Sequence, residues 1–254
     1  MASIRVENLT KTFGETVALN DVSFEIDEGE FTIVLGTSGS GKSTLLRCMN
    51  GLTPATSGQV LIDGEPVTAP RGDVAMVFQQ HNIIEQMSAF SNALSGSLGR
   101  SEFIESVFRF QDDEDKLKAL EALETVGLLD EAEQRAGRMS GGQQQRVGVA
   151  RALVQDPSIL LADEPVASLD PGSSQTVMRY IRTAAEERGL TALISLHQVN
   201  LARQFGVRFI GLADGDLVFD GYREDLTTDV IDDLYGGIDM EEFLTGESSQ
   251  EAAQ

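Results

Sequence analysis

Apolar residues recur along this chain in two rhythms. From Ile4 to Glu7 and again from Val22 to Ile26 they alternate with polar ones, the period of half-buried antiparallel strands. Ser57-Gly58 turns into QVLIDGEPV, a hairpin-like pair around Asp63-Gly64. Elsewhere they form short, mainly apolar runs: Phe31 to Leu35, Asp73 to Phe78, Ser158 to Ala162, Thr191 to Leu196 and Val207 to Leu212. A helical stretch, Ser173 to Arg188, separates the third run from the fourth, an alternation that predicts βαβ units and a parallel sheet. Leu217 to Phe219, with Asp214-Gly215, predicts a closing hairpin. From about residue 80 to 156 the character changes. EDKLKALEALETVGLL carries leucines and alanines at helical spacing, so this stretch is expected to be a helical subdomain inserted into the α/β core. The charge run QDDED (111–115) reads as a solvated loop and helix start. The acidic tail, 238–254, is expected to fray.

One run is followed by chemistry. After Phe31 to Leu35 comes GTSGSGKST, which contains G-x-x-x-x-G-K-S from Gly36 to Ser43. Glycines let the backbone wind so that successive N–H groups cradle a polyphosphate, and the helix opening near Gly41 adds its unpaired N–H groups and positive dipole end. Lys42 can reach β- and γ-phosphates, and the Ser43 hydroxyl can ligate Mg²⁺. A glycine turn that merely carries a lysine would not need the whole pattern between a strand and a helix. This is a P-loop, with Gly36, Thr37, Ser38, Gly39, Ser40, Gly41, Lys42, Ser43 and Thr44 as candidate ATP-binding residues.

Other constellations matter only in its company. MSGGQ (139–143) sets Ser140, Gly141, Gly142 and Gln143 before a helix, which alone is an ordinary N-cap but is also a second anion-binding start. ILLADEP (159–165) buries a strand and releases Asp163 at its carboxyl end, where open α/β sheets place ligands. Asp163 can hold Mg²⁺, and Glu164 is placed to polarise an attacking water. Ser168-Leu169-Asp170 reads as a polar turn before a helix. His197 and Gln79 also follow strands directly.

Charge narrows the function classes. There are 41 acidic and 19 basic residues, a net charge of −22, and only four of the basic residues are lysines. Phosphate backbones would be repelled, which argues against nucleic acid as a partner. A surface adapted to a high-salt cytoplasm fits this balance better than ordinary acidity, because screening there shortens to a few ångström and self-repulsion costs little. The single cysteine, Cys48, excludes a disulfide within the chain and reads as a small core residue. No window approaches 18 consecutive apolar residues, and the N-terminus lacks a signal-peptide pattern.

Taken in order, the P-loop, the Gln79 loop, MSGGQ, LLADEP, the SLD turn and His197 resemble an ABC-type ATPase, the nucleotide-binding subunit of an ABC transporter. The resemblance covers about residues 3 to 237. VFQQHNIIEQMSAFSNALSGSLGR, ADEPVASLDP and LHQVNLARQF bring it closest to the ATPase of phosphonate-type importers. Two positions depart from that pattern. Met139 replaces the usual leucine, a volume-conserving swap. Phe13 stands where a tyrosine usually stacks on adenine, and stacking survives without the hydroxyl. The resemblance implies an α/β P-loop NTPase core of ABC-ATPase type, with an N-terminal antiparallel β subdomain and an inserted helical subdomain, over 1–237. It implies a homodimer with two ATP molecules between head-to-tail chains, each on one P-loop and facing Ser140 to Gln143 of the other. It also implies Mg²⁺ held by Ser43, Gln79 and Asp163, with Glu164 as general base, His197 on the γ-phosphate, and Lys42 and Gln79 assisting. Asp170 lies in the D-loop. The implied partners are integral membrane permease subunits at the cytoplasmic face of the membrane and, indirectly, a solute-binding protein. A soluble repair or translation ATPase would carry coiled-coil insertions or a tandem cassette. A module without turnover would lack Glu164 or His197. The transported oxyanion, with phosphonate foremost among phosphate esters, phosphite and others, is not readable from these residues.

Overall fold

The computed structural model describes residues 2–79, 82–100 and 113–236. The acidic tail lies outside them, as do Gln111 and Asp112 of the charge run. Strands β1 (Ile4–Phe13), β2 (Thr16–Ile26), β4 (Ser57–Ile62) and β5 (Glu65–Pro66) form an antiparallel sheet in the order β2-β1-β4-β5. Strands β3 (Phe31–Leu35), β6 (Val74–Val77), β7 (Ile159–Asp163), β8 (Thr191–Ser195), β9 (Arg208–Ala213) and β10 (Asp216–Tyr222) form the larger sheet. Its order is β10-β9-β3-β8-β7-β6, parallel except for the β9–β10 hairpin.

The first two strands run further than their alternation suggests. LTKTFGETVALND, between the two alternating stretches, is strand and hairpin. Register shifts between Val6 and Leu9 and between Leu9 and Lys11 absorb the residues that break the period. Asn8 (φ 48°) and Asp21 (φ 52°) take the left-handed conformation there, and Asn8 Nδ2 donates to Asp21 Oδ1 at 2.9 Å. Short polar side chains tolerate that backbone where apolar ones do not.

Strands β3, β6, β7 and β8 are buried along their whole length, as their apolar composition requires. On β7, Leu160 and Ala162 face one core while Ile159 and Leu161 face the other, the two-residue period of a strand. The second core also takes the antiparallel sheet and α1 (Lys42–Met49), with Cys48 inside it. On the opposite face lie α2 (Ala89–Leu94), α3 (Asp113–Thr125), α4 (Gly141–Val154), α5 (Pro171–Arg188), α6 (Val199–Phe205) and α7 (Thr228–Tyr235). Helices α2, α3 and α4 come between β6 and β7, the place expected for the helical insertion. No helix among the described residues is long and apolar enough to cross a membrane.

Candidate functional site

Parallel pairing brings four strand ends to one edge. Val34 pairs with Ser195, Asp163 pairs with Ser195, and Val77 pairs with Ala162. The residues just beyond these pairs are therefore Gly36, His197, Glu164 and Gln79. Strand carboxyl ends in open α/β sheets are where ligands sit.

The P-loop turn depends on residues without side chains. Gly36 has φ 149°, and a Cβ there would stand 2.2 Å from the Leu212 carbonyl oxygen. The turn delivers α1 with Gly41 as its N-cap and no side chain closing the first N–H groups, so they remain available to an anion. Lys42 is buried; its Nζ donates to the Gly36 and Thr37 carbonyls, each at 2.8 Å, and lies 3.5 Å from Glu164 Oε1. Burial holds this ammonium below the ordinary lysine range, with the Glu164 and Asp163 charges opposing part of that.

Beside it a chain of hydroxyls organises the acidic pair. Ser43 Oγ donates to Asp163 Oδ1 at 2.8 Å, and Ser195 Oγ donates to the same oxygen at 3.0 Å. The Glu164 N–H donates to Ser195 Oγ at 2.8 Å. That bond helps hold Glu164 at φ 44°, a conformation costing a non-glycine residue about 1–3 kcal/mol and concentrated at functional sites. The His197 imidazole Nδ1 is 4.0 Å from Glu164 Oε2. Lys42, Ser43, Asp163, Glu164 and His197 thus form one cluster. Ser195 is a member that the motif reading missed. Its signal was a polar residue closing an apolar run, two positions before His197.

A Mg²⁺ ion fits the donor set. Ser43 Oγ and Asp163 are hard oxygen groups already within hydrogen-bonding distance. No group of three or more His, Cys, Asp or Glu side chains suited to a metal occurs among the described residues. Gln79 is exposed two residues past Val77, level with Glu164 in the register, and makes no recorded contact with the cluster.

Phe13 ends β1 at the hairpin tip and is 53% exposed, which excludes a core role. Lys11 Nζ lies 4.8 Å from its ring centroid. Ala18 and Leu19, on the returning strand, sit against Gly41 at the start of α1.

The signature stretch is elsewhere. Ser140 caps α4: Gln143 N–H donates to Ser140 Oγ at 3.3 Å, and Ser140 N–H donates to Gln143 Oε1 at 3.0 Å, a capping box. Asp170 caps α5, accepting from Ser173 N–H at 3.0 Å; its bonds to Ser173 hold the carboxyl below the usual range. Between the two helix starts lies a cleft of about 380 Å³ lined by Ser140, Gly142, Gln143, Asp170 and Ser173, with no P-loop residue in its lining.

The family described as ABC transporter matches residues 19–167. The chain belongs to this family. A phosphonates import ATP-binding protein, PhnC of Halobacterium salinarum, is 66% identical over 249 residues, covering 98% of this chain and 89% of the relative. PhnC 2 of Haloquadratum walsbyi is 56% identical, covering 98% and 88%. Among solved structures, a dimeric post-hydrolysis ATP-binding cassette bound to ADP and Pi matches with a TM-score of 0.73 at 34% identity, covering 87% of this chain and 98% of that one. The two sheets and the helices between β6 and β7 are therefore an ABC-type cassette.

Proposed function

We propose that this chain is the ATP-hydrolysing subunit of an importer that carries phosphonate through a separate membrane permease. The observation that carries the ATPase reading is the convergence of Lys42, Ser43, Asp163, Glu164 and His197 at the strand ends. The names of the relatives carry the solute.

ATP lies on Gly36 to Thr44 with its base against Phe13. The unpaired N–H groups at the start of α1 and the Lys42 ammonium bind phosphate oxygens. Ser43 and Asp163 would hold Mg²⁺, with Gln79 contributing; when bound, the cation would neutralise charge on the phosphates. Glu164 accepts a proton from the attacking water, and His197 orients toward the γ-phosphate. Ser195 keeps Asp163 and the Glu164 backbone in place. Two chains face head to tail, so that Ser140 to Gln143 of one meets the ATP of the other. The open cleft at Ser140 and Asp170 and the dimeric ATP-binding cassette support this arrangement.

The permease docks beside Gln79. A groove of about 370 Å³ lined by Met76, Phe78, Gly96 and Arg151 supports that placement, which makes the chain peripheral at the cytoplasmic membrane face. A solute-binding protein delivers the phosphonate from the other side. The acidic surface and the relatives from halophilic archaea support work in concentrated salt.

The test is reconstitution of the chain with its permease and solute-binding protein in vesicles in concentrated KCl. Methylphosphonate should stimulate ATP hydrolysis and accumulate only with ATP on the cassette side. Stimulation by phosphite or sulfate, with methylphosphonate inert, would overturn the solute while leaving the ATPase intact.

A further inference from the structure

The C-terminal helix α7 is not part of any motif, yet its last residue reaches the cluster. Thr227 caps it, accepting from Val230 N–H, and Ile231, Leu234 and Tyr235 form its buried stripe. Its close approach depends on Gly211 of β9, where a Cβ would stand 2.6 Å from Leu234 Cδ2. Gly211 pairs with Leu35, the residue before Gly36. The seat thus delivers the end of α7 to the start of the P-loop.

Tyr235 is 5% exposed there, and its hydroxyl donates to the His197 carbonyl at 3.0 Å. The Gly36 backbone also approaches this hydroxyl, and Glu164 is near enough for its charge to be felt. Burial pushes the phenol far above its ordinary range, the Gly36 N–H works against that, and Glu164 adds to it. The hydroxyl therefore stays a hydrogen-bond donor at any working pH. The histidine lies on a loop between β8 and α6: Leu196 N–H before it donates to the Val34 carbonyl at 2.9 Å, and the N-cap of α6 after it, Gln198, makes no side-chain cap.

We propose that Tyr235 is a positioning residue for ATP hydrolysis, its hydroxyl holding the His197 backbone so that the imidazole stays beside Glu164. This rests on the role given to His197 above. It makes α7, outside the matched segment 19–167, part of the hydrolytic apparatus.

Tyr235→Phe keeps the ring and removes only the donor. In the full-length protein, kcat should fall about five- to tenfold, with KM for ATP within about twofold of wild type. The melting temperature reports whether packing survives. The same change is then made in a His197→Ala background and followed by single-turnover hydrolysis. There it should have no further effect, because the tyrosine acts through the absent imidazole. An equal loss in both backgrounds, accompanied by a lower melting temperature, would make Tyr235 a packing residue. A raised KM with kcat unchanged would assign it to the P-loop instead. If His197→Ala turned over at the wild-type rate, the histidine's role would fall and Tyr235's with it. If His197→Ala were slow and Tyr235→Phe normal, only the tyrosine proposal would fall.

Discussion

Two helices in this chain start on glycine-rich turns with their first N–H groups turned outward, and they are finished differently. Helix α1 starts without a side-chain cap, beside a buried lysine and two carboxylates. Helix α4 closes its start with its own capping box and opens onto a cleft lined by Arg146 and Asp170, with no P-loop residue in it. Neither carries an acid in its first turn, a trait they share with α2, α5 and α6, whereas α3 opens with Asp113, Glu114 and Asp115 and α7 has Asp229. Neither first turn therefore sets its own negative charge against an anion. The first start has everything for binding and chemistry except a cover. The second has an anion site and no chemistry. In the proposed head-to-tail dimer each would supply, across two chains, what the other lacks.

Mixed dimers break or sharpen that conclusion most directly. Glu164→Gln removes the base and should slow hydrolysis about 10²–10⁴-fold. Gly142→Asp places a repelling carboxylate at the start of α4, where even a Cβ would meet Ser173 Cβ at 3.1 Å. With one lesion on each chain, a shared-site dimer has one doubly damaged site and one intact site. With both lesions on one chain, both sites are damaged. Single-turnover hydrolysis should keep a fast phase of about half amplitude in the split arrangement alone. A fast phase found only in the doubly mutated arrangement would mean that each chain serves its own ATP.

Phe13 tests how far the first start extends. Because the ring is more than half exposed, Phe13→Ala should leave folding unchanged. It should weaken ATP binding by about 1–3 kcal/mol, the range for base–aromatic stacking, with turnover at saturating ATP retained. Phe13→Tyr should be neutral. Unchanged affinity with a lower melting temperature would make Phe13 a hairpin residue.

These residues also show what the sequence could and could not tell. The runs at Phe31, Ser158 and Thr191 announced buried parallel strands because both faces demand apolar side chains. The P-loop was legible because its spacing is itself the geometry. Long β1 and β2 were hidden by bulges at Asn8 and Asp21, where the alternation slips. Ser195 was hidden because a serine in an apolar strand has no spacing signature; only the pairing of β7 with β8 brings it to Asp163. Tyr235 required a contact between residues 38 apart, set by a missing Cβ at Gly211. Local pattern carried the elements, and tertiary pairing carried the rest.

The smallest expected effect concerns Ser140, where capping and anion binding can be separated. Ser140→Ala removes the hydroxyl that accepts from Gln143 N–H and should cost about 1 kcal/mol of stability. For a chain of this size that lowers the melting temperature by roughly 2–4 °C. The helix start keeps its N–H groups and neutral surface, so turnover should fall only modestly. Ser140→Asp does the opposite. Aspartate is as good an N-cap as serine and favours the helix dipole, so stability should return to or exceed wild type. Its charge, however, would sit where the proposed dimer brings the phosphates of the other site, and turnover should drop about tenfold. The two substitutions therefore order themselves oppositely in melting temperature and in hydrolysis. If Ser140→Asp were both stable and fully active, the start of α4 would be an ordinary helix cap, and the comparison between the two helix starts would fail at its weaker member.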